Sequence, residues 1–74
     1  MKLEKLSLVD DQFFTAEIAA DAGIISLQAE VQPLGPVHIA HAVWKENGDD
    51  AMNYVSQRLT AVRDMIEEKL RANA

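Results

Sequence analysis

The clearest change of hydrophobic period in this chain falls between Asn47 and Asp49. Before it, residues 24–32 alternate and residues 37–46 do so less cleanly, and after it the apolar residues recur at every third and fourth position. A period of two places side chains alternately on the two faces of a strand, and a period near 3.6 lines one face of a helix. A chain of 74 residues with one such switch is confined to a sheet followed by a helix laid against it, an α+β arrangement.

The helical half is the clearer one. Met52, Val55, Leu59, Val62 and Ile66 step by three and four, and Leu70 rejoins them. On a helical wheel this stripe spans an arc of about 80°. Asn47-Gly48 interrupts what precedes it, Asp49 suits an N-cap, and Asp50 places negative charge at the positive helix end. Lys69 and Arg71 fall in the last turn, and Arg63–Glu67 and Glu67–Arg71 are oppositely charged pairs four residues apart. The expectation is one long amphipathic helix over about 49–72. Its stripe fits a short heptad seam, but covering a sheet suits its length better. Tyr54, Ala61, Met65 and Ala72 fall on roughly the opposite side, where Met and Tyr are typical of contact surfaces.

The first half reads as sheet, over about residues 2–46. Leu6 and Leu8 alternate with Lys5 and Ser7. In 24–32, Ile25, Leu27, Ala29 and Val31 share one face, and Ser26, Gln28, Glu30 and Gln32 share the other. In 37–46, Val37, Ile39, His41 and Val43 point one way, and His38, Ala40, Ala42 and Trp44 point the other. Both sides of that strand are fairly apolar, so a cover is expected on each. Gln32-Pro33-Leu34-Gly35-Pro36 joins these two strands as a stiff turn, with Pro33 at its second position and Gly35 free to take positive φ. Residues 11–22 carry two patterns. Phe14, Ala16, Ile18 and Ala20 alternate against Phe13, Thr15, Glu17 and Asp21, as in a strand; the alanines, Asp10 as cap and Gly23 as terminator suit a helix. The topology is therefore ββββα or βαββα, a small antiparallel sheet of three or four strands in one domain, 1–74.

Composition removes whole classes of function. There is no cysteine, so neither a disulfide scaffold nor a thiolate metal site is available. Seven Lys and Arg against twelve Asp and Glu give a net charge of −5. No basic residue occurs from Leu6 to Trp44, while Asp10, Asp11, Glu17, Asp21 and Glu30 do. Nucleic acid, which is held by cations, is not the expected partner; a basic protein surface fits better. The N-terminus has no secretory pattern, and no apolar run spans a bilayer, which together make the cytoplasm the default location. A domain this small has a limited core of its own, which favours a homodimer or docking on a larger protein.

The residues able to carry chemistry do not form a catalytic pattern. A three-residue offset on a regular strand sends His38 and His41 to opposite faces, so no metal centre is expected there. Asp10-Asp11 and Asp49-Asp50 are adjacent pairs explained by turns and caps. Phosphate-binding glycine loops and nucleophile elbows are missing from the sequence, and no cofactor is implied. Arg58, Arg63, Lys69 and Arg71 scatter around the helix instead of lining one side. Trp44 stands beside Ala40 and Ala42, either as core beneath the helix or as a platform for a partner.

The expectation is a non-enzymatic interaction protein, a small acidic regulator or inhibitor. Size and charge are of the kind found among phage-encoded inhibitors, although no motif ties the chain to one. The contact candidates are Asp10, Asp11, Glu17, Asp21 and Glu30 for charge, with Trp44, Tyr54 and Met65 as anchors. The alternatives are an assembly subunit and a small-ligand or metal-binding module built on His38, His41 and Trp44.

Overall fold

The computed structural model describes residues 1–31 and 37–72. The expected turn at Gln32–Pro36 lies outside the described residues. Four strands come first: β1 (Lys2–Leu8), β2 (Phe13–Ala20), β3 (Gly23–Glu30) and β4 (His38–Trp44). They form one antiparallel sheet in sequence order, β1-β2-β3-β4. Two helices follow, α1 (Met52–Gln57) and α2 (Leu59–Ala72). The fold is α+β, ββββαα, and the ambiguous second segment is a strand.

One face of the sheet is closed by the helices. Phe14, Ala16, Ile18, Ile25, Leu27, Ala29, Ile39 and Ala42 are buried from the sheet side, and Val55, Val62 and Ile66 from the helical side. The period-two pattern of β2 and β3 produces this directly. Ile18 pairs with Ile25 and Ala16 with Leu27, so each inward residue has an inward neighbour across the ladder. The helical stripe does the same: Val55, Val62 and Ile66 are buried, with Met52, Leu59 and Leu70 half-buried along its margins. The stripe therefore serves sheet packing.

Both edge strands carry an irregularity that alternation does not predict. In β4, Gln28 pairs with His41 but Ala29 pairs with Ile39, so Ala40 is an extra residue, a β-bulge. The cause lies in the side chains. A regular strand would turn inward either Ile39 with His41 or His38 with Ala42 and Trp44. The bulge turns Ile39, Ala42 and Trp44 inward together and leaves both histidines exposed. It avoids burying an imidazole without a partner. The expected separation of His38 and His41 onto opposite faces is thereby corrected: both lie on the outer face. The expectation that β4 is apolar on both sides falls with it, since its outer face presents His38, Ala40, His41 and Val43. In β1 the shift falls between Leu3 and Lys5, at Glu4, and lets Leu3 and Leu6 both face the core.

The helical segment also departs from expectation. It is broken at Arg58, whose amide donates to the Val55 carbonyl at 3.0 Å in a tightened final turn. The Arg58 guanidinium lies 3.7 Å from the centroid of the Tyr54 ring, and its Nη1 donates to the Tyr54 carbonyl at 3.3 Å. This folds Arg58 back over the end of α1. The break lets α1 pack beside β4 while α2 crosses to β1. The longer piece has 14 residues and is not especially long.

Asp49 does not cap the helix. Its carbonyl accepts from the Trp44 amide at 2.8 Å, and the Ala51 amide donates to the Ala42 carbonyl at 2.9 Å. The segment after the turn thus runs back along β4 and satisfies part of its outer edge. Asp50 takes a cap-like role, its Oδ1 accepting from the Met52 amide at 2.9 Å. Gly48, at φ 76°, makes that reversal possible. Arg63 is tied to the sheet, its Nε donating to the Val37 carbonyl at 3.1 Å.

Candidate functional site

The face of the sheet opposite the helices has no second layer among the described residues. The register arranges its side chains in rows across the strands. Lys2, Ala19 and Ile24 form the first row, and Lys5, Glu17, Ser26 and Val43 the second. Ser7, Thr15, Gln28 and His41 form the third, and Phe13, Glu30 and His38 the fourth. The composition is mixed and mostly polar.

Charge on this face differs from the sequence expectation. The stretch without cations suggests an anionic sheet. Instead, β1 brings Lys2 and Lys5 to it, and Lys45, just beyond β4, reaches across it. The Lys45 Nζ lies 3.1 Å from Glu17 Oε2. A pairing 28 residues apart in sequence gives no local signal. Glu17 is therefore engaged within the molecule instead of standing as an unpaired acid.

The other candidate residues are spread over the molecule. Asp10 and Asp11 lie in the β1–β2 turn, and Asp21 lies in the β2–β3 turn at the opposite end of the sheet. Asp10 closes its own turn, with Oδ1 accepting from the Gln12 amide at 2.8 Å and the Phe13 amide at 2.9 Å. These two amides hold its carboxyl below the ordinary aspartate value, the Gln12 bond contributing most. Glu30 sits on the outer face between Phe13 and His38. Trp44 is on the helix side, half-buried, with its ring edge-to-face against Tyr54 at 5.2 Å between centroids. Tyr54 and Met65 are half-buried against the flanks of the core and do not stand on an exposed opposite side of the helix. Ala61 and Ala72 are exposed.

The β1–β2 turn also gathers apolar residues that sequence reasoning did not single out. Leu8, Val9 and Phe13 are 67%, 66% and 44% exposed at its two ends. The turn draws them together: the Val9 and Asp10 amides both donate to the Phe13 carbonyl. Leu8-Val9 running directly into Asp10-Asp11 was the available signal. Phe13 belongs to the outer face, whereas Leu8, paired with the inward Phe14, lies on the helix-side face, so the turn exposes apolar groups to both sides beside two carboxylates.

A depression also opens at the far end, lined by Gly23, Ile24, Trp44, Glu46, Asp49 and Asp50 among others. It is open to solvent and not enclosed. Among the described residues, no group of three or more His, Asp or Glu side chains is placed to hold a metal ion. No helix is long and apolar enough to cross a membrane among the described residues. Comparison with protein-family models, with curated proteins and with solved structures finds no match to this chain.

Proposed function

We propose that this chain is a non-enzymatic interaction protein, a small acidic regulator or inhibitor that works by contact with another protein. The observation that carries this reading is the uncovered sheet face, at one end of which Phe13 stands exposed beside the β1–β2 turn. Apolar groups in water gain by being covered, and their acidic neighbours Asp10 and Asp11 favour a partner with basic residues around an apolar recess. A cytoplasmic setting accords with the lack of cysteine.

Affinity capture from the source cell tests the reading. The wild-type chain retains a defined partner, and retention falls as salt rises. A Leu8→Ser, Val9→Ser, Phe13→Ser variant with an unchanged circular dichroism spectrum loses it, and Asp11→Lys with Asp21→Lys weakens it. Equal capture by all variants contradicts the proposal. A large, salt-insensitive self-assembly would instead favour an assembly subunit.

The depression over Trp44 supports a second reading, a module for a small cationic ligand. Its lining of three carboxylates and an indole suits an organic amine. The melting temperature should rise with added amines, and the rise should vanish in Trp44→Leu. A rise that survives that substitution, or no rise at all, would contradict this reading.

A further inference from the structure

The open face of the sheet is chemically lopsided, and the two halves of that asymmetry match each other. At the end where β2 turns into β3 it carries Lys2, Lys5 and Lys45 against Glu4 and Glu17, an excess of one positive charge. At the other end it carries Glu30, with Asp10 and Asp11 in the adjoining turn. Bulk is distributed in the same way. Phe13 stands out at the acidic end of β2, and the small Ala19 occupies the equivalent place at the basic end.

We infer that the occupant of this face is a second copy of the same chain, stacked face to face about a two-fold axis that crosses the strands. The inference rests on the proposed reading of that face as a contact surface. An axis between the Glu17–Ser26 row and the Thr15–Gln28 row brings the basic end of each copy over the acidic end of the other. Phe13 then faces Ala19 of the second copy, a projection over a hollow, and Glu30 faces the row of Ile24 and Lys45. Such a patch is self-complementary, as an isologous interface must be.

Electrostatics selects this face over the rest of the surface. On the strands of this face Lys2, Lys5 and Lys45 balance Glu4, Glu17 and Glu30; Asp10 and Asp11 at its acidic end contribute two of the five net negative charges, and the other three lie elsewhere. Two copies of an acidic protein repel least when these faces meet. Edge-to-edge pairing is disfavoured instead. Both edge strands are bulged, β1 carries two lysines, and residues 49–51 return along the outer edge of β4.

The size of the face sets the strength. Four strands of about seven residues cover roughly 19 by 23 Å, on the order of 400 Å² in plan for each copy. That is below the ~800 Å² per partner of a standard stable interface, so the dimer is weak and reverses on dilution.

Sedimentation equilibrium of the full chain over a concentration series from roughly 10 µM to 1 mM, the range where weak dimers dissociate, tests this. The average mass is expected to rise from one chain to two. Gln28, exposed and next to the axis, provides the decisive variants. Gln28→Glu alone and Gln28→Lys alone should each weaken dimerisation several-fold, because the two copies of position 28 stand diagonally across the axis and like charges there repel. An equimolar mixture of the two should restore it as a heterodimer. A wild-type chain that stays monomeric throughout overturns the inference, as does a dimer that either variant leaves intact or that mixing fails to restore. If the wild type is monomeric but captures a foreign partner that Gln28→Glu loses, the contact reading stands and only self-occupancy falls. If neither association occurs, both fall.

Discussion

The two faces of the sheet are made from the same strands, one residue out of phase, and they differ in nearly every physical respect. Inward positions of β2 and β3 are Phe14, Ala16, Ile18, Ile25, Leu27 and Ala29, all buried. Their immediate neighbours Thr15, Glu17, Ser26, Gln28 and Glu30 face outward and are half-buried or exposed. Stability resides in the first set. Freedom to vary contact chemistry resides in the second, because an outward side chain can change without opening the core.

The largest test of this contrast is a paired truncation. Leu27→Ala, which leaves a void under the helices, should cost about 2–5 kcal/mol of folding free energy. Its neighbour Gln28→Ala should shift stability by no more than about 0.5 kcal/mol. Urea denaturation of both variants at low protein concentration makes the comparison, and a similar cost at both positions would dissolve the distinction.

Gly23 tests the closed side at its margin. It opens β3 at φ 143°, where a side chain is strained, and an added Cβ would stand 3.7 Å from Trp44 Cε3, an ordinary contact. Gly23→Ala should therefore cost about 1–3 kcal/mol through backbone strain and not through a clash. The Trp44 near-ultraviolet signal should be retained in that variant.

Smaller effects belong to the open side. The Lys45–Glu17 pair is the ion pair found among the described residues, and the Lys45 side chain is 54% exposed. Lys45→Met should cost less than about 1 kcal/mol, and the difference should shrink in high salt. A larger, salt-insensitive loss would mean that the pair shapes the sheet and does not merely sit on it.

The smallest effect is a titration. The Asp10 carboxyl ionises more readily in the folded chain than its ordinary value of 3.8. A lowered folded value means that the ionised form is favoured by folding. Its contribution is present above that ordinary value and is lost as pH falls through the lower folded one. Asp10→Asn, which keeps an acceptor oxygen without the charge, should flatten this part of the acid-unfolding curve. A curve identical to that of the wild type would mean that the two amide bonds carry no charge-dependent stability.

The fold was legible wherever burial was one-sided. The alternation from Ile25 to Val31 and the stripe from Met52 to Ile66 each allow one way of hiding their apolar groups. Legibility failed where the backbone could change its own period. Ile39 and Ala42 are three apart, as are Leu3 and Leu6, and a bulge places each pair on one face. An apolar spacing of three inside a strand was the available signal. The helix break at Arg58 had none, since neither Pro nor Gly marks it, and the Arg58–Tyr54 contact is an i,i+4 pair that an unbroken helix would also place together. In the candidate site, Asp10 lies in a turn, one of the two places its sequence allowed, Asp49 does not cap the helix as its position suggested, and the link from Lys45 to Glu17 depends on the register of three strands.

Methyl resonances in the presence of a soluble paramagnetic agent probe the bare face directly. In dilute solution Ile24 and Val43 should broaden strongly while Ile18, Leu27 and Ile66 remain sharp. Raising the chain concentration, or adding a captured partner, should then shield Ile24 and Val43 alone. Outer methyls already protected in the dilute chain, or still fully accessible under both conditions, would contradict the account.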